Sequence, residues 1–279
     1  MPETFRSEVT MCLHNWARTE WTHQIIEELK QQSCAPQVFV WNNNPDIVFR
    51  DDRADLVINS SVNMHVRTLP ALWQMAKTPY VARMDDDLHF REGDTELLAD
   101  ALARIKLNQA ASKMLGPYGV RLYADSNYEG AHHVAIPKGH GQFTDDKQKV
   151  RAKDQDIAVD LLKGRFLLAN QMSTLALKCH CPHYHVDLYV SMELSARRRF
   201  WHICPGLFYD RSKQEGRLVN FPVDGKGYCD MADHAAMRNK LCDEWAASCP
   251  RDRRVRNKPG PKTIKPAKGV VDATKPPAK

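Results

Sequence analysis

The chain has 279 residues, 43% of them hydrophobic and 27% charged, with a formal net charge of +6. That is apolar material for one large α/β domain or two small lobes, the profile of an ordinary globular protein with a segment appended. No window approaches 18 apolar residues and Met1-Pro2-Glu3-Thr4-Phe5-Arg6 lacks a leader's apolar stretch, so nothing argues for membrane insertion or export, and the expected compartment is the cytoplasm, the host's if the protein is viral.

The first ninety residues alternate strand and helix. Residues 8–14 read as a strand, and from Trp21 to Gln32 apolar residues recur at helical spacing (Trp21, Ile25, Ile26, Leu29). Residues 37–41 form a second strand, stopped by Asn42-Asn43-Asn44-Pro45-Asp46, which is turn chemistry. Residues 55–59 form a third. Val66, Leu69, Leu72, Trp73 and Ala76 then mark one helix face, and residues 80–84 are a fourth strand. Such alternation predicts a largely parallel sheet with ligands beyond the carboxyl ends of its strands.

A helix is expected from Thr95 to Leu107, after which the pattern becomes irregular. Apolar segments at 111–115, 120–123 and 132–137 are separated by Gly, Pro and Asn turns, and 139–153 reads as a polar loop. Residues 161–168 resemble one buried strand whose Gly164 marks a close approach of another backbone or a ligand. Helices at 186–196 and 234–247 flank a strand at 200–203. The eight cysteines are too few for a disulfide scaffold in a chain this long and read as buried thiols or metal ligands.

Charge is concentrated at the end. Residues 250–279 hold ten Lys/Arg against two Asp, or +8, so residues 1–249 sum to 6 − 8 = −2. Six of the sixteen prolines also lie there, with almost no large apolar residue. This is the composition of a solvated arm or linker, and as an arm it would attract polyanions such as nucleic acid.

The feature that points to chemistry is Tyr80-Val81-Ala82-Arg83-Met84-Asp85-Asp86-Asp87-Leu88, an apolar strand ending in three consecutive carboxylates. Like charges side by side repel, and a hard cation is the simplest means of neutralising them; a helix cap or a solvated edge is the alternative. Together with Val9–Leu13 followed by Asn15 and Arg18, the strand ending at Asn42, then Asn59, Arg67 and the helix to Ala76, this run resembles the nucleotide-sugar glycosyltransferases of the GT-A fold. Their signature is an Asp-x-Asp motif closing a strand, and the exostosin-like and family-2-like enzymes are the most similar.

The resemblance implies an α/β, GT-A-like fold: a Rossmann-like nucleotide-binding half with a mixed sheet (1–110), an acceptor-binding half of the same domain (111–249) and a flexible tail (250–279). It implies that Asp87 holds Mn²⁺ or Mg²⁺ with the donor diphosphate. Asp85 would hold ribose or sugar hydroxyls and share the metal, and Asp86, Asn15, Arg18, Asn59 and Arg67 would lie on the donor side. His234 would add a metal ligand, with Arg238 near a phosphate. Asp187 would be the acceptor-side carboxylate, taking the hydroxyl proton in an inverting enzyme or orienting the acceptor in a retaining one. His185 and Val186 precede it where the family carries paired acids.

Cys179-His180-Cys181-Pro182-His183-Tyr184-His185 gathers soft and borderline ligands. Cys179, Cys181, His183 and His185 are therefore candidate ligands of a structural zinc, with Cys204, Cys229 or Cys242 as further donors, or else residues lining the acceptor cleft. For the acceptor two expectations stand level. One is a hydroxymethylated base in DNA, as in phage DNA-modifying enzymes, suggested by the tail, Arg197-Arg198-Arg199 and the 139–153 loop. The other is a bacterial polysaccharide or small molecule. An expectation from another class is a zinc-containing nucleic-acid-binding module without catalysis.

Overall fold

A computed structural model describes residues 7–108, 112–121, 132–135, 150–151, 156–195, 201–210, 212–213, 215–222 and 234–248. The first half builds as its pattern dictates. Strand β1 (Val9–Asn15) is buried at all seven positions, as a central strand covered on both faces must be. Helix α1 (Thr19–Lys30) buries Ile25, Ile26 and Leu29 on one stripe. Strand β2 (Gln37–Asn42) alternates buried and half-buried residues, and β3 (Leu56–Asn59) has no buried residue. A 3₁₀ turn at His65–Thr68 leads into α2 (Leu69–Met75), whose Pro70 sits in the first turn, where a missing N–H leaves no helix bond unmade. Strand β4 (Tyr80–Met84) is wholly buried, and β5 (Leu88–Phe90) and α3 (Leu97–Asn108) follow.

The second half supplies β6 (Ser112–Leu115), β7 (Gly119–Arg121), β8 (His132–Ala135), β9 (Val150–Arg151), β10 (Ile157–Val159), β11 (Leu161–Leu162) and β12 (Phe166–Asn170). After these come α4 (Gln171–Thr174), α5 (Val186–Leu194), β13 (Trp201–Cys204), β14 (Tyr209–Asp210), β15 (Glu215–Gly216), β16 (Leu218–Asn220) and α6 (His234–Ser248).

Both halves feed one eight-stranded sheet of order β10-β13-β6-β12-β4-β1-β2-β3. The run β4-β1-β2-β3 is parallel, while β12 lies antiparallel between β4 and β6. Because successive side chains of a strand point to opposite faces, β1 sends Val9, Met11 and Leu13 into the core beneath α1 and α3, and Cys12 into the core beneath α2 and α5. In β4 the same period sends Ala82 and Met84 to the first core and Val81 to the second. Arg83, next in register with Val81, therefore lies on the α2/α5 side. Trp73 of α2 is fully buried there and its indole N–H donates to the Ala82 carbonyl at 3.3 Å.

The predicted single strand over 161–168 is instead two. β11 joins β7 in a four-stranded side sheet, β12 enters the main sheet, and the chain turns between them at Gly164-Arg165. Gly164 does mark a close approach, but of side chains: a Cβ there would overlap Arg83 Nη1 and stand 3.1 Å from Asp187 Cβ. Among the described residues no helix is long and apolar enough to cross a membrane. The tail 250–279, Arg197–Arg199, Cys229 and most of the 139–153 loop lie outside the described residues.

Candidate active site

The chain leaves β1 toward β2 on one side and returns to β4 on the other, so the carboxyl ends of β1 and β4 bound a topological switch point, the place where open α/β sheets bind ligands. Three asparagines stand in register across that edge, Asn15 at the end of β1, Asn42 of β2 and Asn59 of β3. Their amides interlock: Asn15 Nδ2 donates to Asn42 Oδ1 at 2.8 Å, and Asn42 Nδ2 donates to Asn59 Oδ1 at 2.9 Å. Asn15 Oδ1 accepts from the Thr22 hydroxyl of α1 at 3.0 Å, and Asn59 Oδ1 accepts from the Phe49 N–H at 2.8 Å. Asn15 is fully buried. Asn15 and Asn59, expected on the donor side, thus tie the strand ends together, Asn15 from a buried position that also seats the start of α1 and Asn59 from an exposed one that also holds the chain at Phe49.

Asp85, Asp86 and Asp87 occupy a tight turn in which the Leu88 N–H donates to the Asp85 carbonyl at 3.2 Å. The turn is pinned on both sides. The Asp85 N–H donates to the Arg165 carbonyl, and the Phe221 N–H to the Asp87 carbonyl, each at 2.9 Å. Each carboxylate has its own guanidinium: Arg83 Nη2 pairs with Asp85, Arg18 Nη1 reaches Asp86 at 3.0 Å, and Arg165 Nη2 reaches Asp87 at 3.1 Å. Arg18 also lies 5.0 Å from the centre of the Trp21 ring. Burial pushes the Asp85 carboxyl up to about 6, with Asp87 adding repulsion and Arg83 opposing it. Burial likewise raises Asp86, against the pull of Arg18.

Arg83 carries the connection onward. Its Nη1 donates to the Gly164 carbonyl at 2.5 Å, and the Gly164 N–H donates to Asp187 Oδ2 at 3.2 Å. Asp187, in the first turn of α5, is gripped from the other side by Arg238 of α6, Nη2 to Oδ2 at 2.6 Å and Nη1 to Oδ1 at 3.3 Å. Burial alone would raise this carboxyl, but the charge and hydrogen bonds of Arg238, helped by Arg83 and the Leu188 N–H, bring it down to about 2. One chain of contacts therefore runs from the acidic turn to the acid expected on the acceptor side.

Arg67 faces elsewhere. Its Nε donates to the Cys181 carbonyl at 2.9 Å and its guanidinium stacks 5.6 Å from the Tyr184 ring, so it anchors the 179–185 loop.

Among the described residues no group of three or more His, Cys, Asp or Glu side chains is arranged to hold a metal ion. This corrects the zinc expectation. The thiol of Cys179 is exposed and contacts Gln74 Oε1 at 3.4 Å, while buried Cys181 contacts His183 Nδ1 at 3.7 Å, the nitrogen that also accepts the His185 N–H. Burial pushes the Cys181 thiol up to about 12. Cys204 and Cys242 are buried in the apolar packing of β13 and α6. For the acidic turn the finding is narrower. Mg²⁺ and Mn²⁺ are hard ions, and Mg²⁺ is characteristically held by one or two carboxylates together with substrate phosphates. Asp85 and Asp87 fit that shared arrangement and do not form a closed cage. The side chain of His234 lies outside the described residues.

Arg83, Arg165 and Asn220 were not singled out from the sequence. Arg83 left a signal, since a guanidinium in a strand buried at every position must find a partner. Arg165 and Asn220 left none, because only the pairing of β12 with β4 and of β16 with β5 brings them to the turn.

A mixed sheet of this order with antiparallel β12 beside β4 is an α/β fold of the GT-A type. No protein-family model matches the sequence and no curated protein matches it. Solved structures do. TarS 1–349 from S. aureus in complex with UDP-GlcNAc superposes with a TM-score of 0.59 at 11% identity, over 90% of this chain and 69% of that one. The same protein in complex with UDP gives 0.54 at 10% identity, over 90% and 68%. The mannosyltransferase PcManGT from Pyrobaculum calidifontis in complex with GDP-Man and Mn²⁺ gives 0.50 at 14% identity over 72% of this chain, which spans 55% of that one.

Proposed function

We propose that the protein is a metal-dependent glycosyltransferase that moves a sugar from a nucleotide sugar, expected to be a UDP-sugar, to a hydroxyl acceptor. One observation carries this reading: three acids on a turn at the switch point of a GT-A sheet, joined through Arg83 and Gly164 to a further buried carboxylate. Solved structures of the same fold in complex with UDP-GlcNAc, or with GDP-Man and Mn²⁺, support the donor class and the divalent ion.

In this reading Asp85 and Asp87 hold Mn²⁺ or Mg²⁺ together with the donor diphosphate, and Asp86 completes the donor side with Arg18. The ion would supply positive charge to the diphosphate as the glycosidic bond breaks. Arg18 and Arg165, paired with Asp86 and Asp87, are the protein's own cations at that edge and would meet phosphate oxygens of the donor. Asp187 is the acceptor-side carboxylate. Both of its oxygens are engaged in the present arrangement, so it accepts a hydrogen bond from an acceptor hydroxyl once Arg238 yields one of them. His234 remains a candidate third metal ligand. For the acceptor, the specific observation favouring a polyanion such as DNA bearing hydroxymethylated bases is the +8 charge of residues 250–279.

The test is a screen of nucleotide sugars for Mn²⁺-dependent thermal stabilisation and nucleoside diphosphate release. Asp85→Ala and Asp87→Ala should each lower release by at least about a hundredfold, the scale of losing preorganised charge at a leaving group, while the melting transition persists. Release or stabilisation by no nucleotide sugar, or unimpaired turnover in both variants, would overturn the reading.

A further inference from the structure

The three Asp–Arg pairs of the acidic turn are unequal. Arg83 is 7% exposed and also bound to the Gly164 carbonyl, so it is fixed. Arg18, at 16%, is stacked on Trp21 and sits at the start of α1. Arg165, at 29%, stands on the turn between β11 and β12 and meets the most exposed of the three acids, Asp87 at 36%. Its Nη2 serves both Asp87 Oδ1 and Asn220 Oδ1, the latter at 2.5 Å, while its Nε is buried without a hydrogen-bond partner among the described residues. A guanidinium so held offers a fork with donors left over, next to the acid that the proposed function gives to the metal.

We propose that Arg165 is an internal stand-in for the metal ion at Asp87: it neutralises Asp87 while the donor site is empty, and it turns to the donor diphosphate when the ion takes that carboxylate. The inference rests on the proposed function and adds a residue to its donor site. Two cations compete for Asp87 Oδ1 when no nucleotide is present. With a diphosphate bound, Asp87 would hold the ion and Arg165 would take the diphosphate as its partner, so the competition would become cooperation. Asn220, on a strand held to β5, keeps the arginine at the edge of the turn throughout. No bond is made or broken; the exchange is of ion-pair partners.

The sign of the effect separates this role from a structural one. In Mn²⁺ titrations of the full chain followed by electron paramagnetic resonance of the free ion, Arg165→Gln should bind Mn²⁺ about threefold more tightly than wild type without nucleotide, the scale of removing one partly exposed ion-pair competitor. With UDP or GDP present the same variant should bind Mn²⁺ at least about tenfold more weakly, the scale of one lost charge-assisted contact to phosphate. Arg165→Lys, which keeps the charge and loses the fork, should stay near wild type without nucleotide and fall between the two with it. Weaker or unchanged Mn²⁺ binding by Arg165→Gln in the nucleotide-free arm overturns the inference alone, provided Asp87→Asn abolishes binding. If Asp87→Asn binds Mn²⁺ like wild type in both arms, the metal reading of the turn falls and the inference falls with it.

Discussion

At the residue scale the site depends on placing like charges together and answering each with a guanidinium, and the deepest case is Asp187 with Arg238. Both side chains are nearly buried, at 10% and 8% exposure, so each would be costly to leave alone. The Asp187 carboxyl sits at about 2, below its ordinary 3.8, so the pair's stabilisation is complete above pH 4 and is lost as pH falls through about 2. Arg238→Gln should therefore cost about 2–4 kcal/mol at pH 7. The gap to wild type should narrow by about 1 kcal/mol at pH 3, where the unfolded chain already binds the proton. Urea unfolding at the two pH values checks this, and equal gaps would show that Asp187 does not feel the arginine. Arg83 belongs to the same scale. A sequence gives an arginine inside an apolar strand as an anomaly, and the structure resolves it as the bridge from Asp85 to the Gly164 turn.

At the element scale the asparagine ladder explains why the site edge holds its shape. Asn42 is fully buried and central to it, joined to both neighbouring asparagines, and its Nδ2 also faces the Asn44 and Ile47 carbonyls of the following loop at 3.1 and 2.6 Å. Replacing it with alanine leaves several partners unsatisfied, so Asn42→Ala should lose about 2–4 kcal/mol in urea unfolding. A loss under about 0.5 kcal/mol would mean that water replaces the ladder without penalty. The elements themselves were largely legible. β4 falls on the expected residues 80–84, and β1, β2 and β3 start or end within a residue of expectation, because long apolar runs punctuated by Asn turns admit few alternatives. β5, β10 and β16, each of three residues, were missed because no period can be read from so few positions. The site was legible in proportion to how locally it is built. Asp85–Asp87 are contiguous and announced themselves, whereas the asparagines' mutual bonds and Arg165's partners exist only through strand register. The Cys/His run misled for the complementary reason: ligand types close in sequence need not converge in space, and here His183 bonds its own loop.

At the scale of the whole molecule the charge is divided between a slightly acidic body and a strongly basic end. Residues 1–249 sum to −2 and residues 250–279 to +8, so the net attraction to a polyanion is concentrated in the latter. Such attraction acts through release of counterions, and the logarithm of affinity for duplex DNA falls with the logarithm of salt in proportion to the number of phosphates neutralised. If most of the ten basic residues engage DNA, removing residues 250–279 should flatten the salt slope by about 5–8 units and lower DNA affinity at low salt by orders of magnitude. The acidic turn is far from that segment in sequence and carries its own arginines, so nucleoside diphosphate release to water or to a small acceptor should stay within about twofold of the full chain, as for sites that share no partners. Fluorescence anisotropy with hydroxymethylated and unmodified DNA, at several salt concentrations, measures the first quantity, and donor turnover with and without DNA measures the second. A loss confined to DNA acceptors would make the segment the means by which a polymer is brought to the sheet edge. Unchanged DNA binding and turnover after truncation would make residues 250–279 a linker, with any hold on a polyanion then lying in residues 1–249.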